Sequence, residues 1–161
     1  MDKKLAIVGL GYVGLPLALT YALDGFEVSG VDIDPRRIDS IRAAALGMRE
    51  DFDGVPVNDV LRTCLGNGSL HVTSVFGELP RDVSTYVVTV GIPIDATWAL
   101  DMSMLTGACT ELGKLLKKGD LVICRSTVPV GTTRGLVRTT LERESGLTAG
   151  TDFDLAYSSE R

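Results

Sequence analysis

The segment Ile7–Ala18, IVGLGYVGLPLA, constrains this chain more than any other. Gly9, Gly11 and Gly14 make a G-x-G-x-x-G pattern, which by itself is a tight turn as readily as a phosphate cradle. Its surroundings separate the two readings. The apolar run KLAIV before it has the length of a buried strand, and the residues to Leu23 follow a helical period, with Val13, Leu17 and Tyr21 on one face. Pro16 falls at or beside the first turn, where a missing N–H costs least. In a strand–turn–helix of this kind, Gly9 permits the sharp turn and Gly11 lets backbone approach a pyrophosphate. Gly14 lets the helix pack close to the strand. The helix N-terminus then offers unpaired N–H groups and partial positive charge to the phosphates.

A dinucleotide site of this type also needs an acid about 20 residues further on, at the end of the next strand. Asp32, after EVSGV, meets that need. Its carboxylate accepts from ribose hydroxyls and repels a 2′-phosphate, so NAD is favoured over NADP. Arg36 and Arg37 argue weakly the other way. Beyond Asp32, Asp34 reads as an N-cap and Pro35 as the first helical residue.

The rest of the chain alternates strand and helix. A loop from Gly47 leads to a short helix near Val57–Leu65. LHVT (Leu70–Thr73) and TYVVTV (Thr85–Val90) read as strands, then comes a helix from Met102 to Lys118. There the lysines suit the helix dipole and Gly119 ends the element. LVICRS (Leu121–Ser126) is a strand, Thr132–Glu144 a helix and FDLAYS (Phe153–Ser158) a last strand. This alternation predicts an α/β fold: a Rossmann-type doubly wound parallel sheet with helices on both faces.

Charge and composition exclude several classes. With a net charge of −5 and no basic stripe, the chain lacks the footprint of a nucleic-acid binder. No apolar run approaches the ~18 residues of a membrane span, and the N-terminus lacks a signal-peptide pattern. Cys64, Cys109 and Cys124 have no metal-like spacing and read as free core thiols, which suits a reducing cytoplasm.

Five segments, GLGYVGLPLA, VDIDPRRI, VGIPID, STVPVGTT and AYSSER, together resemble the UDP-glucose/GDP-mannose dehydrogenase family. The flavour is closest to UDP-N-acetylmannosamine-type dehydrogenases of polysaccharide biosynthesis. The resemblance implies a cytoplasmic enzyme that oxidises the C6 hydroxyl of a nucleotide sugar to a carboxylate with two NAD⁺, through a cysteine thioester. It also implies that residues 1–161 are the NAD-binding domain. A central helical region, which makes a homodimer, and a C-terminal sugar-nucleotide domain carrying the cysteine would lie outside them. The end just past a strand fits part of a longer protein.

On the same resemblance, Tyr12 and Val13 of the glycine loop, Asp32 and Arg37 fall on NAD-contact positions, with Arg37 near the adenosine ribose. The bland reading of Arg37 is an exposed helix cation. In VGIPID, Val90, Gly91 and Pro93 present backbone to the cofactor, while Ile92 stands where the family usually has threonine. Thr127 matches a threonine near the nicotinamide and the reacting oxygen; its alternative is a helix-capping hydroxyl, a job Thr132 could do instead. Glu160 matches a glutamate that assists thioester hydrolysis as general base, with Ser159 in place of the usual proline. Other residues have structural readings: His71 beside a strand, Trp98 capping an apolar loop, and Ser126 with no histidine partner. Asp95 and Asp101 lack visible metal partners. The alternatives are a free-standing nucleotide-binding module or another NAD(P) dehydrogenase of the hydroxyacid or 6-phosphogluconate type. STVPVGTT counts against the latter.

Overall fold

The computed structural model describes residues 3–47 and 51–159. The chain divides into two compact units, residues 1–83 and 84–161, each with its own three-stranded parallel layer.

The first unit runs β1 (Lys4–Val8), α1 (Gly14–Leu23), β2 (Glu27–Val31), α2 (Pro35–Arg42), a hairpin of β3 (Asp51–Phe52) and β4 (Val55–Pro56), α3 (Val57–Gly66) and β5 (Leu70–Thr73). Its parallel strands lie in the order β5-β2-β1, and Val8, Val31 and Thr73 share a register at their C-terminal ends. Both β1 and β2 are buried at every position but the first, as strands covered on both faces must be. α1 buries Gly14, Leu15, Ala18, Leu19 and Ala22, not the Val13–Leu17–Tyr21 stripe that the periodicity suggests. Both stripes have helical spacing, but only the first carries the small residues that let a helix approach a sheet. Tyr21 instead meets Phe26 edge-on, with ring centroids 5.3 Å apart.

α2 begins as its sequence dictates. Asp34 Oδ1 accepts from the Arg36 amide at 3.0 Å, and Pro35 takes the first position, where no N–H partner is needed. The β3–β4 hairpin is not foreseen; the sequence reads as loop there. Its turn is Asp53–Gly54, both with positive φ (52° and 83°), the dipeptide that favours such tight hairpins.

The second unit runs β6 (Thr85–Val88), α4 (Ser103–Gly113), β7 (Leu121–Cys124), a π-helical turn (Thr133–Val137), α5 (Arg138–Ser145) and β8 (Asp154–Tyr157), with strand order β6-β7-β8. α4 stops at Gly113, short of the expected Lys118. The chain tightens there into i→i+3 bonds, from the Leu115 amide to Leu112 and from the Leu116 amide to Gly113. The buried Asp120 carboxylate then takes the Lys117 amide at 2.9 Å and the Lys117 Nζ at 3.3 Å. Lys117 therefore serves a buried carboxylate rather than a helix dipole. α5 closes at Gly146 in the left-handed region, φ 69°.

Each unit is thus a parallel βαβ layer of the kind from which doubly wound α/β folds are assembled. Among the described residues no helix is long and apolar enough to cross a membrane.

Candidate functional site

In the first unit the glycine loop leaves β1 at Val8. Gly9 has φ 94°, a conformation open to glycine and strained for other residues, and its amide donates to the Val31 carbonyl at 2.8 Å. Gly11, Tyr12 and Val13 are exposed, and Gly14 is buried where it opens α1. A Cβ built on Gly11 meets nothing within 4 Å, so the loop faces open space at the point where backbone would have to approach a phosphate. The cap position Val13 has no side-chain cap bond, and the first turn of α1 contains no acid. That helix end therefore presents its positive dipole without a carboxylate of its own to neutralise it.

Asp32 lies just past β2 and is half-buried. Its Oδ2 accepts from the Leu10 amide at 2.8 Å and its Oδ1 from the Asp34 amide at 3.0 Å. An ionised carboxylate has about four acceptor sites, so each oxygen keeps one for a ligand hydroxyl while the backbone holds the group in place. Arg37, on the first turn of α2, donates from Nε to the Leu10 carbonyl at 2.8 Å. It is half-buried and bonded, so the reading of a merely exposed helix cation fails. Arg36 is exposed and pairs with Asp34 at 3.3 Å. The structure thus gathers Gly9, Gly11, Tyr12, Val13, Gly14, Asp32 and Arg37 around one loop.

In the second unit β6 and β7 end level, Val88 opposite Cys124, and the Arg125 amide donates to the Val88 carbonyl at 2.8 Å. The segments bearing Val90, Gly91 and Pro93 and bearing Thr127 therefore leave adjacent strand ends on one edge. Val90 and Ile92 are half-buried; Gly91 and Pro93 are exposed. Thr127 is exposed and its hydroxyl forms no hydrogen bond among the described residues. Nor does the Thr132 side chain cap the helical segment that follows it. Ser126 is buried and donates to the Val88 carbonyl at 3.5 Å, a structural role. Ser159 is exposed, and Glu160 lies outside the described residues.

Trp98 caps nothing. It is 86% exposed, with φ 64°, near the tip of a loop closed by the Ile94–Leu100 bridge. The loop is held by Asp95, whose carboxylate accepts from the Thr97 hydroxyl and amide, both at 2.7 Å, and from the Ala99 amide at 3.0 Å. Those bonds, the Thr97 hydroxyl foremost, hold its pKa below the ordinary carboxylate value. Asp101 accepts from Ser103 in the same way, so both acids serve local turns. No three metal-ligating side chains cluster among the described residues. His71 is exposed on β5. The three cysteines are buried and free, and burial, with a smaller contribution from Cys124, pushes the Cys109 thiol up to about 12. A groove of about 740 Å³ is lined by Val128, Pro129, Arg134, Arg138, Gly150 and Tyr157 among others; Thr127 is not part of its wall.

Two residues that hold the loop escape the sequence reading. Leu10 is fully buried, and a Cβ on Gly30 of β2 would lie 2.9 Å from both of its terminal methyls. The available signal is a glycine inside a strand, which marks a close approach.

The sequence model of the UDP-glucose/GDP-mannose dehydrogenase family, NAD binding domain, matches residues 3–161. A UDP-N-acetyl-D-glucosamine 6-dehydrogenase of Pseudomonas aeruginosa is 37% identical over 99% of this chain and 36% of its own length. The solved structure of a UDP-N-acetylmannosamine dehydrogenase from Pyrococcus horikoshii is 32% identical, with a TM-score of 0.88 over 98% of this chain and 36% of its own. A GDP-mannose dehydrogenase from Pseudomonas aeruginosa, solved as a ternary complex, is 30% identical with a TM-score of 0.89 over 100% of this chain and 36% of its own. The likeness extends the Rossmann-type α/β fold to the whole chain, which spans little more than a third of these relatives.

Proposed function

The chain belongs to the UDP-glucose/GDP-mannose dehydrogenase family as its NAD-binding domain, and on that premise we propose that it holds the oxidant for a nucleotide-sugar 6-dehydrogenase. The activity is oxidation of a C6 hydroxyl to a carboxylate, which takes two NAD⁺. The substrate is a UDP-N-acetylhexosamine, in keeping with the names of the relatives. The full-length protein is a cytoplasmic homodimer with no nucleic-acid partner. Its central and C-terminal domains carry the nucleophile and most contacts to the sugar.

One observation carries the reading: Asp32 is held by two backbone amides beside a glycine loop whose Gly11 faces open space. NAD fits these residues. Gly9, Gly11, Tyr12, Val13 and Gly14 would cradle its pyrophosphate, and Asp32 would accept from its adenosine ribose. Arg37, bonded to Leu10, would lie near that ribose, Arg36 pairs with Asp34, and a 2′-phosphate would face the Asp32 carboxylate. Val90, Gly91 and Pro93 would offer backbone toward the nicotinamide half. Bound NAD supplies a hydride acceptor. Thr127, with a hydroxyl that donates and accepts, would orient the reacting oxygen, and Glu160 would act as base in thioester hydrolysis.

Calorimetric titration of the 161-residue chain tests this. NAD⁺ should bind saturably and NADP⁺ at least about tenfold more weakly, one tenfold step being ~1.4 kcal/mol. No NAD⁺ should be reduced when UDP-N-acetylmannosamine or UDP-glucose is added. Tighter binding of NADP⁺, or turnover by this chain alone, would overturn the proposal.

A further inference from the structure

The glycine loop is held from three sides through one residue whose side chain is closed off from solvent. The Leu10 side chain is fully buried against Gly30 of β2, its amide donates to Asp32, and its carbonyl accepts from Arg37. Leu10 stands between Gly9 and Gly11, so whatever displaces it displaces both glycines. The fit is close. A Cβ at position 30 would come within 2.9 Å of Leu10 Cδ1 and Cδ2 and 3.3 Å of Cγ. With both methyls and the branch carbon in contact, turning one methyl away does not clear the clash, and full burial leaves the side chain little room to move.

We propose that Gly30 and Arg37 are positioning residues that seat Leu10 and thereby set the glycine loop in its dinucleotide-binding shape before any cofactor arrives. Gly30 supplies the recess for the side chain. Arg37 bonds the carbonyl and Asp32 the amide, so the backbone on either side of Leu10 has one placement rather than several. The consequence for affinity is entropic: a loop already ordered loses less freedom on binding than one that must be ordered by its ligand. Arg37 on this view acts through the loop, in addition to any contact it makes with a ribose. The inference rests on the NAD reading above.

The test has one arm without cofactor and one with it. In the free chain, hydrogen exchange of the Gly9 and Leu10 amides, which are bonded to Val31 and Asp32, should accelerate about tenfold or more in Arg37→Ala, while amides of β1 keep their protection, since the opening is local. In calorimetry, Gly30→Ala and Leu10→Ala should each weaken NAD⁺ about tenfold, one by overfilling the recess and the other by emptying it. The double variant should lose less than the product of the two, because the new Cβ occupies space the shortened side chain vacates. A purely structural role would lower the melting temperature of these variants and leave their NAD⁺ affinity in place. The inference is overturned if both single variants bind NAD⁺ within about twofold of the parent, or if Gly9 and Leu10 exchange at the parental rate in Arg37→Ala. Should Gly30→Ala fail to fold, the Arg37→Ala exchange measurement decides alone. A parent chain that binds no NAD⁺ would overturn the functional reading, and the exchange arm would still report on the seat.

Discussion

Asp32 shows how one side chain serves fold and site together. Its two oxygens tie the glycine loop to the start of α2, through the Leu10 and Asp34 amides, and each keeps the capacity to accept a further bond. Asp32→Ala should therefore weaken NAD⁺ at least about tenfold in calorimetry, since a hydrogen bond to a charged group contributes ~1.5–3 kcal/mol and the Leu10 anchor goes with it. Asp32→Asn, with one acceptor oxygen for two backbone donors, should fall between parent and Ala. The residue itself was legible from its spacing behind the glycines. Its partner Leu10 was not, being 22 positions earlier in the chain and brought close by the pairing of β1 with β2. Gly30 was visible as a glycine in a strand but silent about what approaches it.

Elements built from local rules match their sequence signatures. The β-branched run at Thr85 forms β6, the Asp34–Pro35 pair opens α2, and Gly146 closes α5. Elements whose ends depend on distant groups do not. α4 stops at Gly113, set against Leu141 and Glu144 of α5, and the turn before α5 is wound as π-helix. Two glycines of α4 separate propensity from packing. A Cβ on the exposed Gly107 meets nothing within 4 Å, so Gly107→Ala should stabilise the chain by ~1 kcal/mol in denaturant unfolding. A Cβ on Gly113 would sit 2.6 Å from the Glu144 Cβ of α5, so Gly113→Ala should destabilise it despite the same gain in propensity, by ~1–3 kcal/mol.

Across the whole chain the charged groups define a pH window. Asp34, Asp95, Asp101, Glu142 and Asp152 all sit below their ordinary values, held by Arg36, Thr97, Ser103, Arg138 and Lys118 respectively. A carboxylate depressed in the folded state contributes stability above its unfolded pKa and loses it as pH falls through the folded one. On the alkaline side, burial raises Cys109 from 9.0, and Tyr86 from 10.0, to about 12 in each case. The folded state keeps these groups protonated, so stability falls as pH rises from their unfolded values toward 12. The melting temperature should be level between about pH 5 and pH 9 and decline on both sides; a maximum below pH 4 would contradict these assignments. At this scale the sequence by itself determined the alternation of strand and helix, the family, and the glycine loop with its acid. Each of these is written in residues near one another or in spacings that only strand–turn–helix geometry satisfies. Tertiary structure alone decided which face of α1 goes inward, where α4 ends, that Trp98 stands in solvent, and that Leu10 is gripped by Gly30, Asp32 and Arg37. Those outcomes depend on which atoms meet across the fold, and close packing makes such meetings a property of three-dimensional fit that no local pattern encodes.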